Sequence, residues 1–208
     1  MDVQQLDRLV ERARGLVVRG ERRVLGIAGA PGAGKSTVAA GIVERLRDVA
    51  VLVPMDGFHL AQAELVRLGR EGRKGAPDTF DVAGYAALLA RLRAPEPGVT
   101  VYAPAFDRAR EEPVAGSIPV PAETPLVVTE GNYLLHEADG WAAVRGLLDA
   151  CWFLELDDRQ RVPRLIERHV RFGKERDHAE RWVLGSDEAN ARLVAAGRDR
   201  ADLVVRLS

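Results

Sequence analysis

The sequence predicts an α/β fold of three layers, α/β/α, built around a mainly parallel sheet. Short apolar runs recur without strict polar alternation, as strands covered on both faces do, and segments of helical periodicity separate them. A glycine-rich stretch, GAPGAGKST at residues 29–37, sits between the first such run and the helical segment that follows it. The 208 residues are enough for one well-buried domain and too few for two of ordinary size, so residues 1–208 are expected to form a single unit.

Val3, Leu6, Leu9, Val10 and Ala13 recur at helical spacing, which makes 3–14 an amphipathic helix within an N-terminal segment 1–21. Strands are expected at 24–28, 50–55, 99–103, 125–129, 151–156 and 202–207, and helices at 37–47, 59–69, 82–93, 141–149, 158–172 and 187–196. Seven prolines, at 95, 97, 104, 113, 119, 121 and 125, make 94–125 an extended, loop-rich excursion.

The composition is 47% apolar and 29% charged with a net charge of −1, so nothing draws the whole chain to nucleic acid or to a membrane surface. Cys151, the single cysteine, lies in an apolar run and reads as a buried structural thiol. The first fifteen residues lack a signal-peptide core, and no apolar stretch reaches the roughly 20 residues that span a bilayer, so a cytoplasmic location is expected.

Within GAPGAGKST, Gly29, Gly34, Lys35 and Ser36 fit the spacing G-x-x-x-x-G-K-[ST]. Glycine lets the backbone approach an anion closely, the following helix adds the partial positive charge of its N-terminus, and Lys35 adds a full one. Strand, loop and helix come in the required order, which identifies a P-loop nucleoside triphosphate site. Its cradle is expected from Gly29, Ala30, Gly32, Ala33, Gly34, Lys35, Ser36 and Thr37, with Ser36 on Mg²⁺.

Ligands in open α/β sheets gather beyond the carboxyl ends of the strands. Two acids stand there: Asp56, ending VAVLVPMDGFHL, and Glu130, ending PLVVTEG. Asp56 could simply cap a helix and Glu130 could be a solvated strand end. Both at the edge that carries the phosphate loop also suits metal ligation and the orientation of an acceptor hydroxyl.

GAPGAGKST together with MDGFH, APDTFD, YAPAFDR and VVTEGNYLL resembles the P-loop kinases grouped with uridine kinase, pantothenate kinase and phosphoribulokinase. It is most similar to the bacterial nucleoside/nucleotide kinase-like, or fructose-uptake-associated, branch. The resemblance runs from about residue 22 to the C-terminus. It implies a five-stranded parallel core, a substrate-side excursion, a mobile lid, ATP and Mg²⁺ as cofactors and a small-molecule acceptor, and it admits a homodimer. By motif position, Asp56 would orient or deprotonate the acceptor hydroxyl and Glu130 would hold Mg²⁺ through water or assist the base. Phe80, Asp81, Tyr102, Phe106 and Arg108 would line the acceptor pocket, although the aromatics could equally fill core. His59, beside Asp56 in the motif, is the one histidine placed in that pocket, with helix packing as its other role. RKGAPDTFD stands where uridine kinases carry a His-Pro segment, which leaves the acceptor open.

Arg161, Arg164, Arg168 and Arg171 recur at intervals of three, four and three. Pro163 places the regular helix from about Val162, with Arg164, Arg168 and Arg171 in register. Such a stripe can be a solvated face. It also resembles the arginine-bearing lid of these kinases, here about 158–178, with Arg168 the best candidate for the phosphates. The reading is phosphoryl transfer from ATP to a hydroxyl of a nucleoside, sugar or pantothenate-like metabolite. The alternative is a nucleotide-driven switch without a small acceptor.

Overall fold

The computed structural model describes residues 2–207. Helix α1 (Val3–Arg14) starts at Asp2, whose carboxylate accepts from the Gln5 amide at 2.6 Å, and buries Leu9, Val10 and Ala13. β1 (Arg23–Gly29) runs through the glycine-rich loop into α2 (Lys35–Arg45). β2 (Ala50–Leu52) leads to a 3₁₀ turn at Met55–Phe58, then α3 (Gln62–Arg67) and α4 (Val82–Arg93). β3 (Val101–Asp107) and β4 (Glu112–Val120) follow, then β5 (Leu126–Gly131), the short α5 (Ala142–Arg145) and β6 (Ala150–Leu156). α6 (Asp158–Arg171) turns into α7 (Arg176–Trp182), which passes through a π turn, Val183–Asp187, into α8 (Glu188–Ala195), and β7 (Leu203–Leu207) closes the sheet.

Five strands form one parallel sheet in the order β2-β5-β1-β6-β7. Alternation along the strands sends their side chains to two cores. Leu25, Ile27, Val128 and Trp152 pack against α1 and α2 through Leu9, Val10, Val38 and Ile42. Val24, Val127, Cys151 and Phe153 pack on the other face against α4, α5 and α8 through Tyr85, Leu89, Val144 and Val194. These are the three layers. Burial pushes the Cys151 thiol up to about 12, so it stays protonated among apolar neighbours.

Three elements depart from the sequence reading. The expected strand at 99–103 does not join the sheet but pairs antiparallel with β4, and the excursion 94–125 is this hairpin rather than a loop-rich stretch. A two-stranded ribbon needs no continuous run of sheet donors on both sides, so Pro104, Pro113 and Pro119 fit at positions that a central parallel strand would reject. α6 starts at Asp158, before Val162, because Asp157 accepts from the Arg159 amide at 2.8 Å and caps it there. Pro163 therefore lies inside the helix, where it deprives only the carbonyl of solvent-exposed Arg159 of a partner. The strand expected at 50–55 stops at Leu52, and the turn after it carries Asp56.

That turn lies hard against the hairpin. A Cβ at Gly57 would strike the carbonyl oxygen of Pro104, a backbone atom that cannot swing aside. Gly57→Ala should therefore cost about 1–3 kcal/mol of stability by overpacking. The measurement is the urea midpoint, which should fall with an unchanged slope, and a midpoint equal to the parent's would refute the contact.

Candidate active site

The phosphate loop leaves β1 at its carboxyl end and is held open by Gly32 and Gly34, whose φ angles of 81° and 90° favour glycine. α2 begins on Gly34 with no side-chain cap, and among the described residues no side chain takes up the amides of its first turn. The Ala33 amide is engaged inside the loop, donating to the Ala30 carbonyl at 3.0 Å, and shapes the turn. Lys35 is buried and curls back into the cradle, donating to the Ala30 carbonyl at 3.1 Å and to Asn132 Oδ1 at 2.7 Å. The Ser36 hydroxyl donates to Glu130 Oε1 at 2.8 Å, joining the first turn of α2 to the end of β5.

A cleft of about 380 Å³ opens beside this cradle. Lys35, Ser36, Asp56, Glu130 and Arg168 all line it, as do His59, Phe80, Phe106 and Arg108. Asp56 caps no helix. Its Oδ2 accepts from Arg108 Nη2 at 2.9 Å, which ties the turn after β2 to the end of the hairpin. Glu130 is buried, and desolvation, followed by the nearby charge of Asp56, raises its pKa. The Asp56 carbonyl oxygen lies 2.8 Å from His59 Nδ1, which must be the donor because a carbonyl only accepts. Burial lowers the pKa of His59, so the ring is neutral near pH 7 and Nε2 remains as an acceptor.

Two predicted pocket residues lie elsewhere. Asp81 caps α4, accepting from the Gly84 amide at 2.8 Å, because its position just before the helix makes that the nearest unpaired donor. Tyr102 is 60% exposed on the hairpin. The ladder slips between Ala103 and Ala105, where β4 carries extra residues around Gly116 at φ 68°, and Tyr102 and Phe106 lie on opposite sides of that slip. Phe106, past the slip, reaches the cleft. Phe80 is both wall and core, since it lines the cleft and packs on Tyr133 and Trp141.

The arginine stripe divides. Arg161 is buried and braces the loop from behind, donating to the Pro31 carbonyl at 3.1 Å and pairing with Asp158 and Glu188. Arg164 and Arg171 point to solvent. Arg168 enters the cleft and, among the described residues, has neither hydrogen bond nor ion pair. The residue as a whole is exposed, like Arg164 and Arg171, yet partial desolvation in the cleft and then the charge of Arg108 press its pKa down. Sequence reasoning missed Asn132, although it directly follows Glu130 and Gly131, and it also missed Lys74, Phe172, Lys174 and Trp182, which carry no strand-end signal.

A model of the phosphoribulokinase/uridine kinase family matches residues 24–207. This chain belongs to that family. Its chemistry is phosphoryl transfer to an alcohol group. The kinase is 34% identical over 154 residues to an ATP-dependent kinase-like protein of Aspergillus versicolor, covering 69% of this chain and 88% of that one. It is 30% identical over 210 residues to a pantothenate kinase of Leifsonia xyli, covering 94% and 64%. A crystal structure from Silicibacter, of a protein assigned as a kinase to a fructose transport system, superposes with a TM-score of 0.86 at 36% identity, covering 96% of this chain and 98% of that one.

Burial pulls the Lys35 ammonium from its ordinary 10.5 to about 8. The depressed value means that the ligand-free kinase loses stability from this group as pH falls through that range, and a bound phosphate chain restores the charged form. Nucleotide affinity should be flat below about pH 8 and decline above it, with proton uptake rising toward about one per site. Calorimetric titration in buffers of different ionisation enthalpy reads that uptake. Equal apparent enthalpies at pH 9 would exclude Lys35 as the titrating group.

Proposed function

We propose that this kinase transfers the γ-phosphoryl group of ATP, with Mg²⁺, to a hydroxyl of a small metabolite in the cytoplasm. The supporting observation is the convergence of Lys35, the Ser36–Glu130 pair and Asp56 on one cleft with room left for a small alcohol. Among the described residues no helix is long and apolar enough to cross a membrane.

The roles follow from charge and position. Lys35 exchanges Ala30 and Asn132 for phosphate oxygens, and the free amides at the start of α2 bind beside it. Ser36 Oγ and the Glu130 carboxylate are adjacent hard oxygens, a donor set that suits Mg²⁺, and the two would hold it directly or through water. The metal, when bound, would neutralise charge on the phosphate oxygens. Asp56 aligns the acceptor hydroxyl and takes its proton as the oxygen attacks, while Arg168 offsets the charge on the transferring group. His59 Nε2 accepts from a second donor on the acceptor and helps to orient it. Closure of α6 and the turn after it over the cleft would keep water from competing for the phosphoryl group.

ADP release from ATP, with and without nucleosides, pantothenate, sugars and glycerate, tests this reading. Acceptor-stimulated release supports it, and acceptor-independent release would point to a nucleotide-driven switch. Asp56→Asn should still bind ATP and should lose transfer by about two orders of magnitude or more, the range for a positioned base. Unchanged turnover removes Asp56 from the mechanism.

A further inference from the structure

Beyond Asp56, away from the phosphate loop, rings and cations alternate along the cleft wall. The His59 ring centre lies 4.1 Å from that of Phe80 and 4.8 Å from that of Phe106. The Lys74 ammonium stands 5.4 Å, and the Arg108 guanidinium 5.7 Å, from the centre of Phe106. Arg108 is also 5.8 Å from the centre of Phe172, and Lys174, two residues further on, is 5.1 Å from the centre of Trp182. These contacts run from the hairpin to the turn after α6, so the cations belong to one wall.

The carboxylates nearby have other partners or stand at the rim. Asp56 takes Arg108, and Asp187 is held by His169 Nε2 at 2.8 Å. Glu71 and Glu111 are exposed at the rim, whereas Lys74, Arg108 and Lys174 are half-buried. Lys74 donates to the Glu111 carbonyl oxygen at 2.6 Å, with Gln62 Oε1 at 3.5 Å. Among the described residues, neither Lys74 nor Lys174 has a carboxylate at ion-pair distance. An ammonium group partly stripped of water, beside a ring face and without a carboxylate partner, gains more from an arriving anion than an exposed one does. Two such groups bias the outer cleft toward negative ligands.

We propose that the phosphate acceptor is itself an anion, a small hydroxyl compound whose carboxylate or phosphate is held by Lys74 and Lys174 while its hydroxyl lies at Asp56. This rests on the reading of the cleft as a kinase acceptor site. It favours an acidic polyol or a phosphorylated sugar over a neutral nucleoside or a free sugar. Lys74 lies between α3 and α4 and Lys174 in the turn after α6, so an anion binding both would also draw the lid side of the cleft toward its floor.

Matched acceptors test it: glycerol against glycerate and glycerol 3-phosphate, ribose against ribonate and ribose 5-phosphate, and pantothenyl alcohol against pantothenate. The readout is kcat/KM from ADP release, and the carboxylate and phosphate members distinguish the two sources of charge. A charged member should exceed its neutral partner by about tenfold or more. In a Lys74→Gln/Lys174→Gln protein that ratio should fall about tenfold, through acceptor KM, with KM for ATP within about twofold. A Lys74→Arg/Lys174→Arg protein should keep the preference, which separates loss of charge from loss of fold. Neutral members that match or exceed the charged ones would overturn the proposal and leave the kinase reading standing. So would a preference that survives removal of both lysine charges. If no acceptor stimulates ADP release, the small-acceptor reading fails and the proposal fails with it.

Discussion

Strands β1 and β5 run side by side in the same direction, with Ile27 opposite Glu130 and Ala28 opposite Gly131, and the site follows from that register. It brings the end of β5 level with the start of the phosphate loop, so that Ser36 on α2 can reach Glu130. Thr129, one residue earlier, points to the other face, where its hydroxyl meets Tyr85 and the Val53 carbonyl. A slip by one residue would send Glu130 into the core behind Tyr85 and leave a threonine at the position facing Ser36. The parallel sheet thus sets both the fold and the placement of charge.

Burial makes that placement matter. Lys35 and Glu130 are both withdrawn from water, and each is an expensive group to leave alone there. Their mutual field lowers the cost without cancelling it, and the result is a depressed lysine and a raised carboxyl. Such a pair is poised to respond to ligands: a phosphate chain favours the charged lysine, and a divalent cation favours the charged carboxylate. Asp56 and Arg108 form a second pair across the cleft, from a turn and a hairpin that meet through the Gly57–Pro104 contact. The two pairs stand on different elements, so the space between them depends on how hairpin and sheet pack together.

Arg161 and Arg168 show how one helix serves two purposes. They are seven residues apart on α6, close to two turns, yet Arg161 is consumed in bracing the loop at Pro31 while Arg168 lines the cleft without an ion pair among the described residues. The close approach of Gly32 to α6 fixes the helix against the loop, since a Cβ there would meet Leu165 and the Arg161 carbonyl at 3.1 and 3.2 Å. α6 is thereby fixed against the loop at its N-terminal half, while the half that carries Arg168 leads into the turn with Phe172 and Lys174.

The α/β class, five of the six expected strands as members of one sheet and the nature of the phosphate loop were legible in the residues. Each rests on local facts: apolar runs with the burial of a covered sheet, and glycine spacing in GAPGAGKST. The place of Glu130 at the end of its strand was legible for the same reason, while Asp56 stands in a turn beyond a strand shorter than expected. Tyr102 and Asp81 lie outside the cleft, one exposed on the hairpin and the other spent on a helix start, and a motif shows neither. Of the outer cleft, Phe106 and Arg108 were legible from their motif, whereas Lys74, Phe172 and Lys174 were not. Lys74, Phe106, Arg108, Phe172 and Lys174 come from three separate segments, and which charges remain unpaired among them depends on distances that only the packed chain sets.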